Sequence, residues 1–221
     1  AVSPVADQSS SDGAAISLNV APSFSDDDSI GYTASGLPSG LSISAAGTIT
    51  GTLPANASAT SPYTVTVTAT DAQGATTTDT FTWTVSNPAP AVSPVADQSS
   101  SDGAAISLTV APSFSDDDSI GYTASGLPSG LSISAAGTIT GTLPANASAT
   151  SPYTVTVTAT DAQGATTTDT FTWTVNNPAP TVSPVADQSS SDGAAISLNV
   201  APSFSDDDSI GYTASGLPSG L

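Results

Sequence analysis

The chain is 221 residues long with a formal net charge of −19, no Lys, Arg, His or Cys, and acidic residues that are all Asp. No side-chain ion pair can form within such a sequence, so carboxylate repulsion has to be relieved by backbone N–H groups, protonation, separation or a bound cation. The composition excludes a basic footprint for nucleic acid, direct membrane insertion, a Ser–His or Cys–His nucleophile pair, an ordinary zinc site and a P-loop lysine, and the expectation is a protein that is not an enzyme.

Absent cysteine rules out a disulfide framework but suits secreted bacterial and cytosolic proteins alike. No apolar run approaches the roughly 20 residues needed to span a bilayer. The sequence repeats at an offset of ninety residues: AVSPVADQSSSDGAAISL at 1–18 returns at 91–108, and a third copy begins at Val182. Copies one and two differ only at Asn19 against Thr109 and Ser86 against Asn176. A period of this length suits whole domains rather than solenoid units. The expected domains are 1–90, 91–180 and a partial third copy at 181–221. The partial copy lacks the last strands of the repeat, so it is expected either to belong to a longer array or to be completed by a neighbouring chain.

In chain order, a first strand is expected over about Pro4–Gln8, followed by a turn at Asp12-Gly13. Ile16, Leu18 and Val20 alternate with polar residues as a second strand, and Tyr32 and Ala34 mark another after the cluster Asp26, Asp27, Asp28. Leu41–Ile43 and Thr48–Thr50 flank Ala45-Ala-Gly47 as a hairpin, with Gly47 supplying positive φ. Tyr63–Ala69 alternates apolar residues with Thr, as does Phe81–Val85, and the bland reading of Tyr63, Phe81 and Trp83 is core packing. Asn87-Pro-Ala-Pro90 reads as a semi-rigid link. Seven short strands with frequent turns and no convincing helix predict an all-β protein of antiparallel sandwiches. An up-and-down trace then gathers Asp26, Asp27, Asp28, Asp71 and Asp79 at one end of each domain.

This pattern resembles cadherin-like repeats, specifically the dystroglycan-type cadherin-like and Putative-Ig modules of large bacterial surface proteins. The matching residues are Phe24-Ser-Asp-Asp-Asp28, Tyr32-Thr-Ala-Ser35, Gly36-Leu-Pro-Ser-Gly-Leu-Ser-Ile43, Gly47-Thr-Ile-Thr-Gly-Thr52, Val67-Thr-Ala-Thr-Asp71 and Phe81-Thr-Trp-Thr-Val85. The resemblance implies tandem Ig-like/cadherin-like sandwiches of about seven strands with Ca²⁺ between successive domains. It makes Asp26 and Asp28 DxD ligands, Asp71 the aspartate ending the VxAxD strand, Asp7 the acidic residue at the base of the preceding domain, and Asn87 the linker asparagine. The corresponding residues of the later copies are Asp97, Asp116, Asp118, Asp161, Asn177, Asp206 and Asp208. Pro54-Ala-Asn56 stands where cadherins carry an acidic DRE triplet, and Ser86 and Pro88 replace linker aspartates. One or two ions per junction are therefore expected rather than three.

The residues alone argue in the same direction. Two unit charges ~4 Å apart repel by about 1 kcal/mol in water and about 4 kcal/mol near a protein surface. Hard oxygen ligands without basic partners suit Ca²⁺, and positions two apart in an extended segment let Asp26 and Asp28 converge on one ion. The alternative is a solvated acidic loop that confers solubility. Glycosidase chemistry fits adjacent, repeated loop carboxylates poorly, and no EF-hand glutamate follows Gly31. Asn56-Ala-Ser58 and Asn146-Ala-Ser148 match the glycosylation sequon. The function expected is an extracellular stalk or fibre of adhesin or biofilm type, secreted or on a bacterial cell surface. Its expected partners are neighbouring repeats or copies of the same protein. The alternatives are a module binding surface glycans or itself, and a spacer attached to a secreted enzyme.

Overall fold

The structure, a computed structural model, describes residues 1–220. The first copy folds into seven strands: β1 (Gln8–Ser11), β2 (Ala15–Asn19), β3 (Gly31–Ser35), β4 (Leu41–Ile43), β5 (Thr48–Thr52), β6 (Tyr63–Thr70) and β7 (Thr76–Ser86). One sheet has the order β1-β7-β6-β3 and the other β2-β5-β4. Helical structure is confined to short 3-10 turns at Ala21–Ser23 and Ala57–Thr60. The fold is an all-β sandwich, as the alternating pattern predicts.

Alternation decides which faces are buried. Val65, Val67 and Ala69 on β6 and Phe81, Trp83 and Val85 on β7 point into the core, which they share with Ile49 on β5 and with Leu53 just beyond it. Their threonine neighbours lie on the solvated face, where Thr66 and Thr80 stand 3.1 Å apart across the β6–β7 pair. The Gly36-Leu-Pro-Ser-Gly40 segment has a steric reason for its glycines. Both residues have positive φ, and a Cβ would meet the Thr64 carbonyl oxygen at 2.1 Å from Gly36 and that of Thr52 at 2.2 Å from Gly40.

Two features differ from the sequence expectation. The first strand lies at Gln8–Ser11 rather than Pro4–Gln8, and it pairs with β7 in parallel, so the sheet is mixed. Upstream, Val2 forms an isolated antiparallel bridge to Phe24. The segment thus serves the Phe24 loop first and the β7 edge afterwards, and Pro4 between them breaks any continuous ladder. Asp79 is the fourth residue of β7, not a member of the end cluster, and its Oδ2 accepts the Val5 N–H at 2.6 Å.

The second copy repeats the plan with β9 (Gln98–Ser101), β10 (Ala105–Thr109), β12 (Gly121–Ser125), β13 (Leu131–Ile133), β14 (Thr138–Thr142), β15 (Tyr153–Thr160) and β16 (Thr166–Asn176). Two short additional strands, β8 (Ala91–Val92) and β11 (Phe114–Ser115), pair with each other. Beyond them lie β17 (Thr181–Val182) and β18 (Phe204–Ser205), which form an antiparallel pair. By compactness the chain divides into two units. The first comprises Ala1–Ser93 together with Pro112–Gly121 and Thr158–Thr168; the second comprises Pro94–Ala111, Tyr122–Val157 and the residues from Asp169 onward.

Trp83 is 1% exposed, and its indole N–H reaches Ser10 Oγ at 3.1 Å, so it ties the β1 edge to the core. Replacing it should cost the first copy about 3–5 kcal/mol, the usual range for emptying a large aromatic site. Chemical denaturation of Trp83→Ala is expected to show one early transition, with Trp173 fluorescence reporting the second copy unfolding at its original midpoint. A Trp83→Ala protein that unfolds as the parent does would refute this account of the core.

Candidate functional site

The site is built within the first unit, which contains the base of the first copy and both Asp-rich loops of the second. The base is defined by Asp12 and Asn87. Asp12 N–H closes onto the Ser86 carbonyl at 2.9 Å, and the Asp12 carboxylate, in a residue 5% exposed, accepts the Ser58 N–H at 2.7 Å. Asn87 follows β7 directly and opens the link to β8.

Each Asp-rich loop is locally determined. Phe24 and Tyr32 pack edge to face at 5.6 Å beneath the first-copy loop and anchor its two ends. Asp71 Oδ1 accepts the N–H groups of Gln73 at 2.9 Å and Ala75 at 2.8 Å, and Asp161 repeats these contacts with Gln163 and Ala165 at 2.9 Å each. The turn is therefore a property of the sequence Asp-Ala-Gln-Gly-Ala. Surroundings separate the two copies. Asp26 and Asp28 are exposed, whereas Asp116 and Asp118 are half-buried and Asp161 is buried.

The contacts in the second-copy loops explain that burial. Asn87 Nδ2 donates to Asp161 Oδ2 at 2.9 Å, and Gln163 Nε2 donates to the Ala55 carbonyl at 2.6 Å and to Asp12 Oδ2 at 3.3 Å. Gly13, at φ +69°, leaves room for Asp117: a Cβ there would lie 2.9 Å from Asp117 Oδ2. Four buried oxygens of this cluster have no hydrogen-bond partner among the described residues: Asn87 Oδ1, Asp116 Oδ2, Asp118 Oδ2 and Gln163 Oε1.

The carboxylates respond accordingly. Burial raises Asp118 above the ordinary carboxylate value; the charges of Asp116, Asp161 and Asp12 add to the rise, and the Gln163 side chain opposes it. Burial, the hydrogen bond with Asp116 and the charges of Asp116 and Asp118 also raise Asp117, against its own backbone N–H. For Asp161 burial acts upward but is outweighed by the Asn87 amide and the N–H groups of Ala165, Gly164 and Gln163, so its value is lowered.

Of the sequence-predicted ligands, the structure brings Asn87, Asp116, Asp118 and Asp161 together and adds Asp12 and Gln163. Asp7, just ahead of β1, is engaged with β7, where its Oδ1 accepts the Thr82 N–H at 2.8 Å, and Asp97, just ahead of β9, does the same with Thr172 of β16 at 2.7 Å. Asp26, Asp28 and Asp71 form the corresponding loops of the first copy, with Asp26 Oδ1 accepting the Asp27 N–H at 2.9 Å. Asn177 and Asp208 are exposed and Asp206 is half-buried, bonded to the Asp207 N–H at 2.9 Å. Among the described residues, no three acidic side chains stand close enough together to hold a metal ion by themselves. Any ion here needs the neutral oxygens as well. The donor chemistry fits a hard cation, because every orphaned atom is an oxygen.

The pH response follows from these shifts. Asp117 and Asp118 are raised in the folded protein, so their ionised forms cost stability at neutral pH, and protonation relieves that cost as pH falls through their folded values. Asp161 is lowered, and its contribution persists until pH drops below the ordinary carboxylate value. Metal-stripped protein should therefore gain melting temperature as pH falls from neutrality towards the ordinary carboxylate value of about 3.9, and Asp118→Asn should flatten the gain. A melting temperature that falls steadily over this interval would contradict the assignment.

The chain is similar in structure to several cadherin ectodomains. Against Drosophila N-cadherin EC1-4 the identity is 19%, with 79% of this chain and 48% of that chain covered and a TM-score of 0.35. Human desmocollin-1 ectodomain gives 17% identity, coverage of 82% and 41%, and a TM-score of 0.35. Mouse cadherin-23 EC22-24 gives 19%, 72% and 60%, and 0.37. A putative α-galactosidase/melibiase from Bacteroides fragilis matches over 39% of this chain and 17% of its own, at 22% identity and a TM-score of 0.34. The chain spans less than two thirds of each of these proteins. No curated protein matches. The model of the family described as Putative Ig domain matches residues 1–86 and again 89–176, and the chain belongs to that family, present as a tandem repeat.

Proposed function

We propose that the protein is a structural module of an extracellular stalk or fibre, of the kind used in bacterial adhesins and biofilms, in which Ca²⁺ stiffens the connection between successive copies. The observation carrying this reading is the cluster around Asp118, where four buried oxygens lack partners in a chain without a single basic side chain. Asp116, Asp118, Asn87 and Gln163 would hold the ion through those oxygens. Its charge would offset the repulsion that raises Asp117 and Asp118. The Asp161 carboxylate is retained as an anion beside it by the Asn87 amide. Tandem repetition supplies length, and the absence of Lys and Arg denies trypsin-like proteases their cleavage sites. Among the described residues no helix is long and apolar enough to cross a membrane.

The test compares thermal unfolding and small-angle scattering in millimolar Ca²⁺ and in EDTA. Chelation should lower the melting temperature by several degrees and broaden the distribution of scattering dimensions. Asp116→Asn with Asp118→Asn should weaken Ca²⁺ binding by at least about tenfold, since truncating charged ligands costs on the order of 1.4 kcal/mol or more. Asp26→Asn with Asp28→Asn, in the exposed first-copy loop, should leave the response intact. Identical curves with and without chelator would overturn the reading. Saturable sugar binding on a glycan array would replace it with a carbohydrate-recognition role.

A further inference from the structure

The strands through which the chain enters and leaves each copy lie side by side and run the same way. In the second copy β9 pairs in parallel with β16, Gln98 opposite Trp173, Ser99 opposite Thr174, Ser100 opposite Val175 and Ser101 opposite Asn176. The first copy has the same arrangement between β1 and β7. In the sheet orders β1-β7-β6-β3 and β12-β15-β16-β9 the entering strand stands at the edge, with the leaving strand as its neighbour. Direction decides how a load would act on such a pair. The link from the first copy reaches β9 at its Gln98 end, and the chain departs from β16 at its Asn176 end. These are opposite ends of the paired patch. Tension on the chain therefore slides one strand past the other, and the evenly spaced bonds of a parallel pair share the load. Antiparallel terminal strands would instead be pulled at one end and open rung by rung.

Side chains lengthen the patch in both directions. Ahead of β9, the Val95 N–H donates to Asp169 Oδ2 at 2.7 Å, and the Thr172 N–H donates to Asp97 Oδ1 at 2.7 Å. Each side thus contributes one carboxylate and one N–H. At the far end the Asp102 N–H meets the Asn176 carbonyl at 3.0 Å, and Asn176 Nδ2 donates to Ser99 Oγ at 3.1 Å. Between them the Trp173 indole N–H holds Ser100 Oγ at 3.1 Å. The first copy repeats both staples, Val5 to Asp79 at 2.6 Å and Thr82 to Asp7 at 2.8 Å. Gln98–Ser101 is wholly polar, and none of its residues is fully buried. Hydrogen bonds to β16, rather than apolar burial, keep this strand in place.

We infer that the β1–β7 and β9–β16 pairs, with their carboxylate staples, are shear clamps that set how long a copy survives when the chain is pulled lengthwise. The inference rests on the proposed stalk role, in which tension is the working condition. It does not call on a cation, because every bond of the clamp is made by a neutral donor within one copy.

The chain has no cysteine, so two introduced thiols can serve as handles in the full 221-residue protein. Ser93, Ala149 and Asn177 are all exposed. Ser93→Cys with Asn177→Cys loads the second copy in shear, and Ala149→Cys with Asn177→Cys peels β16 from its Asn176 end. Under the same constant force in EDTA, the sheared copy should outlive the peeled one. Asp97→Ala with Asp169→Ala should shorten the sheared lifetime about tenfold or more, as loss of hydrogen bonds to charged acceptors implies. The peeled lifetime should stay as it was, which a general loss of stability would not allow. Equal lifetimes in the two geometries would overturn the inference, and that comparison needs no change to the staples. A staple variant that shortens both lifetimes alike would overturn it too. With no cation present, neither result bears on the Ca²⁺ response that tests the proposed function.

Discussion

With 19 carboxylates and no cationic side chain, the protein has only neutral N–H and O–H donors with which to hold its anions in place. The fold meets this constraint largely through the backbone. Asp7 takes the Thr82 N–H and Asp79 the Val5 N–H, so two carboxylates pin the N-terminal segment to β7 ahead of β1. Asp12 holds the Ser58 turn, and Asp71 organises its own loop through two amides. Charge-assisted bonds of this kind are stronger than neutral ones. A sequence so rich in a single anion is thus using it as a scaffold, and polypeptide N–H groups take the role usually played by Lys and Arg.

The two copies form a natural experiment on environment. Their Asp-rich loops are identical in sequence and carry the same internal hydrogen bonds, yet Asp116, Asp118 and Asp161 of the second copy are further withdrawn from water than Asp26, Asp28 and Asp71 of the first. Loop geometry therefore does not depend on burial, whereas charge does. Asp118 and Asp117 rise because solvent is removed and like charges remain, and Asp161 falls because the Asn87 amide is brought to it. Loops preformed in this way lose little conformational entropy on being covered. What remains is electrostatic cost and orphaned oxygen.

Legibility in the sequence follows the strength of the local signal. Tyr63–Ala69 and Phe81–Val85 alternate cleanly because one face must be buried, and Gly47 marks its hairpin because the backbone there requires positive φ. The first strand is not legible because Gln8–Ser11 is wholly polar; an edge strand held by backbone pairing and carboxylate staples leaves no apolar period to read. Nothing local in the sequence separates Asp79 from the end cluster, because its partner, Val5, is 74 residues distant. Asn87, Asp116, Asp118 and Asp161 were legible from the family pattern. Asp12 and Gln163 were not: one looks like an ordinary Asp-Gly turn and the other like a loop residue. Their signal was the scarcity of side-chain N–H donors in this composition, which makes every Asn and Gln a potential carboxylate partner.

That scarcity also shapes how copies recognise each other. The Gln163 contacts with Asp12 and Ala55 are made by neutral amide hydrogens, so they need no ion and register the second-copy loop whether or not a cation is present. Because the copies are nearly identical, the same plug and the same socket recur every ninety residues, and no side chain distinguishes a correct neighbour from a wrong one. Order along the chain must come from connectivity. Only Asn87-Pro-Ala-Pro90 separates β7 from β8, and so short a link gives the adjacent copy a high effective concentration over any distant one. The prolines restrict the directions it can take. Selection by proximity rather than by chemistry is what keeps near-identical copies in order.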